Sequence, residues 1–593
     1  MRRFIPAHML INIHLKALTL SNTYFTAASH VEENEKLQVS NAVKGKVVTR
    51  FPPEASGFLH IGHAKAALLN RMLADMYEGK MLFRFDDTNP SKEKEHFEAA
   101  IEEDLNTLGV PYDVGPTYSS DYFDLMFAKA EDMIKRGLAY CDQTPREEMQ
   151  KCRFDGIPTK YRDVSVEENM RLWNEMKKGT EEGQITCLRA KISIDDPNKA
   201  MRDPVMYRVN LTPHSRHGTK QVAYPTYDFC CPLVDSVEGV THALRTNEYH
   251  DRNAQYYWFC DAMGIRKPTI EDFSRLNMEY SVMSKRKLTK LVDTHVVDGW
   301  DDPRLPTVRA LVRRGMKVEA LRQFVSEQGM SKSVNFMEWS KIWYFNTQIL
   351  DPTSPRYTVV SNTLKVRCTV EGQKHMEAER KLLHKKNPSM GEKTYYKSDV
   401  IFLDAEDVAL IKDGDEVTLM DWGNAYVKDI KRPSADALPT EATIILHPEG
   451  DVKKTKFKFT WVPESDKALV FTLNEYDHLL TKKKPDPEED IDDIIAPTSC
   501  YSQKVIGEEA LSVVKKGDIV QLERRGYYIV DDDQAERVLI AIPDGRDKVN
   551  HLSAKAQYLK TVPKKASAAD ELAAKRAAKA AKKAAQKAAA KNS

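Results

Sequence analysis

Hydrophobic and polar residues follow two patterns in the first part of the chain. Short apolar runs bounded by Pro, Gly or Asp predict buried strands, and apolar residues spaced three or four apart predict amphipathic helices. These segments alternate along the chain: strand 46–51, helix 60–77, strand 81–85, and helices 93–108 and 121–136. The last helix has one apolar stripe and Gly137 at its C-terminal end: Phe123, Met126, Phe127, Ala130, Met133 and Ile134. This order predicts a doubly wound parallel sheet, a fold of the α/β class.

Two changes of pattern divide the rest of the chain. The stretch 144–220 is rich in charge and turn residues, and we interpret it as an inserted domain because the α/β pattern resumes near Tyr224. Residues 300–355 look helical, whereas from 356 onward short β-prone segments alternate with Gly and Asp turns, which is typical of β-barrels. We therefore expect seven segments: a leader 1–44, α/β halves 45–143 and 221–299 around the insert 144–220, a helical bundle 300–355, β-barrels 356–563 and a tail 564–593.

Composition limits the class of protein. Hydrophobic residues make up 41% and charged residues 30%, and no apolar run approaches the roughly 18 residues of a membrane span. We expect no membrane partner. The eight cysteines contain no Cys-x-x-Cys pair, and adjacent Cys230 and Cys231 have poor geometry for chelation. We therefore expect no zinc or other metal site, and a reducing compartment such as the cytoplasm.

The two ends of the chain differ in charge from its middle. The first 30 residues contain no Asp or Glu, so this leader could be a mitochondrial targeting segment or simply disordered. Residues 564–593 contain nine Lys/Arg and two acidic residues, which leaves a net charge of −6 for the rest. This tail has high helix propensity and no apolar face, so we interpret it as a solvated helix or an arm that attracts RNA.

Two segments about 220 residues apart carry the candidate chemistry. His60, Gly62 and His63 lie at a predicted strand-to-helix turn, where unpaired N–H groups and the helix dipole favour phosphate. A His-x-x-His pair alone is also common on ordinary surfaces or as half of a metal site. The second segment, Met283-Ser284-Lys285-Arg286-Lys287, reads alone as a solvated basic turn, but it lies at the edge where an open α/β sheet binds its ligand. Together the two segments predict an ATP phosphate site.

These segments resemble the HIGH and KMSKS signatures of class I aminoacyl-tRNA synthetases. The second departs from its name, since Val282 replaces the first Lys and Arg286 the last Ser. The resemblance extends from about 45 to 565 through Asp86-Asp-Thr-Asn-Pro, Tyr224-Pro-Thr-Tyr227-Asp-Phe, Thr241-His-Ala-Leu-Arg245-Thr and Ser274-Arg275-Leu276-Asn277. Within the glutamyl/glutaminyl branch, the sequence most resembles the eukaryotic-type glutamyl enzymes. The resemblance implies a Rossmann-like catalytic domain with an acceptor-binding insert, a helical bundle and two anticodon-binding barrels.

The resemblance also implies a role for each matching residue. The ATP phosphates would meet the catalytic set His60, His63, Ser284 and Lys285. The ATP ribose and adenine would meet Glu54, Gly62, Thr246, Glu248, Arg275, Leu276 and Met283, although Met283 could equally be a core residue. The amino acid would meet Arg50, Asp86, Tyr227 and Arg245, with Asp86 holding the ammonium group. Asp87 is more typical of a structural cap.

Arg245 is the residue that would select the amino acid. A guanidinium that faces a buried carboxylate forms a charge-assisted pair, whereas an amide would leave it partly unpaired. Discrimination of about 10³ is plausible from this difference alone. The alternative is a structural ion pair between Arg245 and Glu248 or Asp251.

The implied activity is the ATP-dependent activation of L-glutamate and its transfer to the terminal adenosine of tRNA(Glu), with Mg²⁺ accompanying ATP. The implied tRNA contacts are Arg202 and Arg208 in the insert and Arg524 and Arg525 in the barrels, where a plain barrel hairpin is an equal alternative. Association with other synthetases or an accessory protein is a further expectation. The alternatives are a glutaminyl or non-discriminating enzyme, a silent tRNA-binding scaffold, and a plain nucleotidyltransferase, which would not need the barrels.

Overall fold

The structure is a computed structural model, and it describes residues 36–91, 95–373, 375–534 and 536–546. The targeting interpretation of the leader rests on residues outside this range, as does the interpretation of the Lys/Ala-rich tail. The chain forms two compact units, Met1–Asn277 with Arg322–Asn335 and Met278–Leu321 with Phe336–Ser593. Each unit is described by itself.

Elements before residue 278 alternate between strands and helices. The strands are β1 (Val48–Phe51), β2 (Lys80–Phe85), β3 (Val114–Tyr118), β4 (Ala139–Asp142), β5 (Cys187–Ala190), β6 (Val205–Val209), β7 (Ala223–Pro225), β8 (His242–Thr246), β9 (Thr269–Phe273) and β10 (Asn277–Met278). The α-helices are α1 (Ile61–Met76), α2 (Glu95–Thr107), α3 (Phe123–Lys135), α4 (Arg146–Asp155), α5 (Val166–Lys178), α6 (Glu181–Gln184), α7 (Tyr227–Val237) and α8 (Asn253–Met263).

The later elements are first helical and then mainly β. The helices are α9 (Lys285–Asp293), α10 (Val308–Arg313), α11 (Val318–Gln328), α12 (Trp339–Leu350) and α13 (Ala405–Ala409). The strands are β11 (Phe336–Met337), β12 (Arg356–Tyr357), β13 (Val359–Ser361), β14 (Lys365–Glu371), β15 (Glu377–Leu382), β16 (Glu392–Lys397), β17 (Val400–Asp404), β18 (Glu416–Leu419), β19 (Gly423–Lys431), β20 (Glu441–His447), β21 (Lys458–Phe459), β22 (Trp461–Pro463), β23 (Leu469–Tyr476), β24 (Cys500–Gly507), β25 (Ile519–Leu522), β26 (Gly526–Asp532) and β27 (Arg537–Ile542).

A parallel sheet forms the centre of the first unit. β1, β2 and β3 pair in parallel, and so do β8 and β9. β1 lies beside β8, because Val48 N donates to Thr241 Oγ1 at 2.7 Å and Thr241 N donates to Val48 O at 2.9 Å. The parallel sheets β1-β2-β3 and β8-β9 thus lie edge to edge in the order β3-β2-β1-β8-β9, which is the arrangement expected of a doubly wound α/β fold. Five of the six residues of β2 are buried, as expected for a strand covered on both faces.

A four-stranded antiparallel sheet, β4-β5-β6-β7, interrupts the parallel sheet in sequence. Its outer strands begin at Ala139 and end at Pro225, so the sheet extends past both predicted boundaries, 144 and 220. Trp173 of α5 and Tyr207 of β6 are fully buried and their rings meet edge to face at 5.0 Å. Aromatic packing of this kind fixes helix α5 on the sheet.

A buried ionic network joins the parallel sheet to helix α7. Asp235 accepts from Arg50 Nε at 3.2 Å and from Arg84 Nη2 at 2.7 Å, and Arg84 Nη1 also donates to Glu238 at 2.7 Å. Tyr256 Oη donates to Asp235 at 3.0 Å. Burial alone would raise the pKa of Asp235, but Arg50 and Arg84 override it and hold the pKa at about 2. Asp235 is therefore ionised, and it binds Arg50 of β1 and Arg84 of β2 at the same time.

The second unit contains two seven-stranded sheets. One has the order β21-β18-β19-β20-β14-β17-β22, and the other has the order β12-β25-β26-β27-β23-β24-β13. The first and last strands of each order are separated by a single residue, Thr460 or Thr358, so each sheet curls until it is nearly closed. Each encloses its own apolar core. The β-barrels expected after residue 356 are confirmed.

Replacing Asp235 with Ala should destabilise the chain by about 3–5 kcal/mol, because two buried guanidiniums would lose their shared carboxylate. Because the pKa of Asp235 is depressed, this contribution is present at neutral pH and is lost as the pH falls from about 4 towards 2. Urea unfolding at pH 7 measures the change. The matched control is Asp261→Ala, which breaks an exposed pair with Lys267 and should cost about 1 kcal/mol or less. Equal effects of the two substitutions would contradict the structural role of Asp235.

Candidate active site

The candidate site lies at the carboxyl edge of the parallel sheet, where β1 and β8 are neighbours. From β1 the chain continues through α1 to β2 on one side, and from β8 through α8 to β9 on the other. Open α/β sheets bind ligands at such a switch in direction. The ends of β1, β2, β8 and β9 deliver nearly all the site residues that the sequence predicts in the first unit.

His60 and His63 form the N-terminal cap of α1. His60 Nδ1 accepts from Gly62 N at 3.0 Å and from His63 N at 3.4 Å, while His60 N donates to His63 Nδ1 at 3.2 Å. The two rings stack with centroids 3.8 Å apart. This is a capping box in which imidazoles replace the usual Ser and Glu side chains.

The cap decides which ring nitrogens carry protons. Burial, followed by the neighbouring His63 and Arg275, holds the pKa of His60 well below its usual range. His60 is therefore neutral, and since its Nδ1 accepts backbone N–H groups, its proton is on Nε2. The Nδ1 of His63 accepts in the same way. His60 therefore presents an N–H group at Nε2, on the side of the ring away from the capping Nδ1.

The absence of a side chain at Gly62 leaves room for the segment that follows β9 to lie next to this cap. A Cβ at residue 62 would lie 2.9 Å from His60 Cε1 and 4.0 Å from the carbonyl oxygen of Leu276. Leu276 is 2% exposed, and Arg275 lies near enough to His60 to lower its pKa. A glycine is required here because any side chain would displace the His60 ring.

The residues predicted to bind the ATP ribose lie at the same edge of the parallel sheet. Thr246 ends β8, and the 3₁₀ helix Asn247–Arg252 that follows contains Glu248. Glu248 Oε1 accepts from Arg275 Nη1 at 2.8 Å. Glu54 follows β1, is exposed, and accepts from Ser56 Oγ at 2.9 Å. These two carboxylates are accessible, and Glu248 is held by an arginine of the adjacent strand end.

Asp86 and Asp87 are neighbours in sequence and have different surroundings. Asp87 is 1% exposed, and it accepts from Ser120 N at 2.8 Å and Ser120 Oγ at 2.6 Å, so it has the structural role that the sequence predicted. Asp86 accepts a long bond of 3.3 Å from Thr88 Oγ1. Burial raises the pKa of Asp86 to about 6, which Asp87 and Glu54 reinforce and Arg84 opposes. Asp86 is a half-buried carboxylate suited to a bound cation.

Arg245 is a buried guanidinium whose protein partners are incomplete. It is 4% exposed, Nη1 donates to Asn253 Oδ1 at a long 3.3 Å, and buried Nε has no hydrogen-bond partner. Over the described ranges no carboxylate lies within ion-pairing distance of it. The alternative ion pair with Glu248 is not formed, since Glu248 binds Arg275. A buried cation without an anion is costly, and a substrate carboxylate would relieve that cost.

Aromatic rings surround Arg245. The guanidinium carbon lies 5.8 Å from the ring centre of Tyr227, 5.1 Å from Tyr249 and 5.4 Å from Tyr256. Tyr227 was predicted from its motif, whereas sequence reasoning missed Tyr249. Tyr249 lies in the 3₁₀ helix four residues after Arg245, within the electrostatic reach of Asp86 as well. Its position three residues after the Thr241-His-Ala-Leu-Arg245-Thr motif was the signal that could have identified it.

Arg50 is more strongly engaged than the sequence suggests. Its Nε bonds Asp235, and its Nη1 donates to Leu244 O at 2.8 Å. Nη2 has a weak contact with Cys231 Sγ at 4.0 Å. The pairing of Arg50 with a substrate carboxylate therefore stays a prediction, and it depends on Nη2. Sequence reasoning missed Asp235, because 185 residues separate it from Arg50.

The second motif belongs to the second unit. Met283 is buried, and Ser284 and Lys285 are exposed at the beginning of α9, with Ser284 at the N-cap position. Leu288 and Leu291 hold this helix in an apolar cluster, and Lys287 Nζ donates to Glu489 O at 2.8 Å. The joint action of this loop with His60 and His63 stays a prediction.

The two predicted tRNA contacts of the insert have different environments. Arg202 Nε donates to Asp196 O at 2.7 Å, and its Nη1 donates to Arg153 O and Phe154 O at 2.9 and 2.8 Å. These bonds hold loops of the insert together, so the geometry assigns Arg202 a structural role. Arg208 is exposed on β6. Of the two, Arg208 is the better placed for a phosphate.

The two predicted barrel contacts join the barrels to each other. Both Nη atoms of Arg524 bond Asp407, and Arg525 Nη2 bonds the carboxylate of Asp404 at 2.9 and 3.0 Å. Asp404 ends β17 of the first barrel, whereas the arginines lie between β25 and β26 of the second. This geometry assigns both arginines a structural role. Contact with tRNA would require them to leave these carboxylates.

A pocket lies where the two barrels meet. It has about 540 Å³ of empty space, including its open mouth, and Tyr395, Tyr396 and Trp461 supply aromatic walls. Lys381 and Glu508 add charge, and Glu508 is paired with buried Lys393. Sequence reasoning did not identify this pocket, because its lining comes from both barrels.

Neither a metal cluster nor a membrane-spanning helix occurs among the residues that the structure describes. No group of three or more His, Cys, Asp or Glu side chains there has the geometry of a metal site. None of the helices in that part of the chain combines the length and apolarity needed to cross a bilayer.

Comparison with known families identifies this arrangement. Residues 46–352 match the catalytic domain of "tRNA synthetases class I (E and Q)", and residues 354–458 and 458–531 match two models of the anticodon-binding domain of the same group. The chain therefore belongs to the class I aminoacyl-tRNA synthetases of the glutamate and glutamine group. The sequence resemblance to this family is confirmed.

Three similar curated relatives carry names that specify the amino acid. The chain is 48% identical over 540 residues to the probable cytoplasmic glutamate–tRNA ligase of Schizosaccharomyces pombe, covering 89% of this chain and 75% of the relative. It is 47% identical over 559 residues to the cytoplasmic glutamate–tRNA ligase of Saccharomyces cerevisiae, covering 93% and 78%. It is also 47% identical over 526 residues to the bifunctional glutamate/proline–tRNA ligase of Mus musculus, covering 86% and 34%.

Replacing Gly62 with Ala should reduce adenylate formation by about tenfold to a hundredfold, because the methyl group would push the His60 ring out of the cap. Pyrophosphate exchange into ATP measures the rate. Gly299→Ala is the control, since a Cβ there meets only the carboxylate oxygen of Asp301 at 3.2 Å. Wild-type exchange by Gly62→Ala would show that the positions of the imidazoles do not matter.

Proposed function

We propose that this chain is a glutamate–tRNA ligase, which activates L-glutamate with ATP and transfers it to the 3′-terminal adenosine of tRNA(Glu). The family match and the names of the closely similar relatives support the ligase activity. The observation that carries the choice of glutamate is Arg245, a buried guanidinium without an anionic partner among the described residues.

The site chemistry favours an acidic substrate side chain. A carboxylate bound at Arg245 would supply the missing anion and form charge-assisted hydrogen bonds. Glutamine would bring an amide that leaves the charge uncompensated in a buried site, at a cost of several kcal/mol. The rings of Tyr227, Tyr249 and Tyr256 restrict the guanidinium, so it cannot turn towards water. Electrostatics thus favour glutamate.

The remaining amino-acid contacts follow from charge. Asp86 is proposed to hold the ammonium group of the substrate, and Tyr227 is proposed to orient that group. Arg50 is proposed to bind a substrate carboxylate through Nη2. With the amino acid held at both ends, its α-carboxylate is free to attack the α-phosphorus of ATP, which forms glutamyl-adenylate and breaks the bond to the β-phosphate so that pyrophosphate leaves. Such a reaction depends on positioning and charge stabilisation more than on covalent chemistry by the protein.

The ATP contacts are proposed along the end of β9 and the cap of α1. Gly62 and Leu276 would border the adenine, with Met283 as a further contact, while Thr246, Glu248, Glu54 and Arg275 would surround the ribose. His60 and His63 would donate to phosphate oxygens as negative charge develops, and so would Ser284 and Lys285. The substrate is ATP with its bound Mg²⁺.

The tRNA would contact both the insert and the barrels. Arg208 is the proposed phosphate contact in the insert. In the barrels, a contact with the anticodon loop is supported by the match of residues 354–458 and 458–531 to the anticodon-binding domain models.

The location and further partners of the chain are proposed from its relatives. The cytoplasmic names of the yeast ligases support a cytoplasmic protein. Mitochondrial targeting through the leader 1–44 stays a proposal that only localisation of the full chain tests. Relatives that join glutamate and proline ligases in one polypeptide support association with other synthetases.

The function itself is tested by aminoacylation of purified tRNA with glutamate and glutamine side by side. Efficient charging with glutamate and a preference of about 10³ over glutamine are expected. Equal charging would favour a non-discriminating enzyme, and preferred charging with glutamine would favour a glutaminyl enzyme. Absence of pyrophosphate exchange with cognate tRNA present would favour a silent tRNA-binding scaffold.

Replacing Arg245 with Cys should lower kcat/KM for glutamate by about 10³ or more and shift the preference towards glutamine. The loss follows from removal of the proposed carboxylate partner, and steady-state aminoacylation with each amino acid measures it. Arg252→Cys is the matched control: Arg252 is half exposed and binds Asp228 at 2.9 Å, so its loss should change the glutamate preference less than threefold, roughly. A similar effect of both substitutions would contradict the selective role of Arg245.

Glutamate binding should weaken as the pH falls through about 6. The pKa of Asp86 is raised to about 6, so the carboxylate that would bind the ammonium group is ionised above this pH and protonated below it. KM for glutamate should be flat between pH 7 and 8.5 and rise by up to about tenfold per pH unit below 6. His60 does not interfere, since its lowered pKa keeps it neutral over this range. A constant KM down to pH 5 would exclude Asp86 as the ammonium site.

A further inference from the structure

Lys65 is a fully buried cation whose hydrogen bonds all end on uncharged groups. It lies in α1 two residues after His63 and is 0% exposed. Its Nζ donates to Ser274 O at 2.9 Å, to Ser274 Oγ at 3.1 Å and to Gln328 Oε1 at 3.0 Å. The three N–H bonds of an ammonium group are thus matched by three oxygens, and none of these oxygens belongs to a carboxylate.

The buried positive charge of Lys65 by itself destabilises the folded chain. Burial lowers the pKa of Lys65 to about 8, and the positive end of the α1 dipole is within two turns of it. The ring of Phe273, 5.8 Å from Nζ, gives only weak compensation. A neutral side chain of similar length would fill the same space without the desolvation of a charge. Stability therefore does not explain why a lysine occupies this position.

The partners of Lys65 connect it to the proposed ATP site. Ser274 directly precedes Arg275 and Leu276, and the Leu276 carbonyl oxygen lies 4.0 Å from the Cβ position of Gly62. Ser274 is held from its other side, where its N donates to Ser331 O at 2.7 Å. Lys65 thus bonds the helix that carries both imidazoles to the segment that borders the adenine, and Gln328 anchors the same ammonium group.

We propose that Lys65 is a positioning residue for ATP, which fixes the distance between the His60–His63 cap and the Arg275–Leu276 segment through its bonds to Ser274 and Gln328. The role rests on the proposed ATP site, although Lys65 itself is buried away from solvent. This positioning role predicts that loss of Lys65 impairs ATP binding and not glutamate binding, because Asp86 and Arg245 are held by other contacts.

The test uses Lys65→Met in the full chain and glutamate-dependent pyrophosphate exchange with cognate tRNA. Methionine is unbranched and similar in length, so it fills the space without the charge. KM for ATP should rise by about tenfold or more, while KM for glutamate changes less than about twofold. Lys129→Met is the control: Lys129 also donates from a helix to a carbonyl, Met263 O at 2.8 Å, and its loss should leave both KM values unchanged.

A second variant keeps the test decisive if Lys65→Met folds poorly. Ser274→Ala removes only one acceptor and should raise KM for ATP by about two- to fivefold, and combining it with Lys65→Met should add little, since both act through one contact. A wild-type KM for ATP in both variants would overturn the inference, and so would equal increases in both KM values, which would indicate a general structural defect. If the unaltered chain performs no exchange, the proposed function fails instead.

Discussion

The ion pairs of the buried Asp235 carboxylate are the interactions on which the proposed amino-acid-binding part of the site depends. The carboxylate neutralises Arg50 from β1 and Arg84 from β2 at once, with the hydroxyl of Tyr256 as a further donor. Two of the three arginines at this end of the sheet thus have an anion inside the protein. The third, Arg245, has no anionic partner within hydrogen-bonding distance in the part of the chain that the structure describes. This uncompensated positive charge is the property that we propose selects an acidic ligand.

The part of the proposed phosphate site that lies in the first unit is built from neutral groups. Imidazoles cap α1 by accepting backbone N–H groups, and burial keeps His60 uncharged. Because Nδ1 is used for the cap, the orientation of the rings and the position of the His60 proton are fixed before any ligand binds. Preorganised donors of this kind need no rearrangement as charge develops on a phosphate.

Much of the fold could be predicted because it depends on local signals. The apolar run of β1, the proline and glycine residues after it, and the capping histidines of α1 are adjacent in sequence, and the structure places α1 at Ile61–Met76, within the predicted 60–77. The strand that precedes Asp86 followed from the same alternation, whereas Arg245 came from the motif resemblance. The motif resemblance then identified the family.

The parts that could not be predicted depend on partners far away in sequence. Arg524 reads as a free cation beside aromatic residues, yet Asp407, 117 residues earlier, binds it. Arg202 looks like a surface arginine until the carbonyls that it holds are seen. Lys65 looks like the polar face of a helix, and its burial depends on Gln328, 263 residues later. No local pattern reports such contacts, so the sequence could not show that these cations already have partners within the protein.

The most direct test of the account is a crystal structure of the chain with a non-hydrolysable glutamyl-adenylate analogue. The account predicts that both side-chain carboxylate oxygens bond the guanidinium of Arg245 at about 2.7–2.9 Å, with the ammonium group at Asp86 and the adenine beside Leu276. A side-chain carboxylate bound elsewhere, with Arg245 still lacking an anion, would contradict the central claim that an unpaired buried guanidinium selects glutamate.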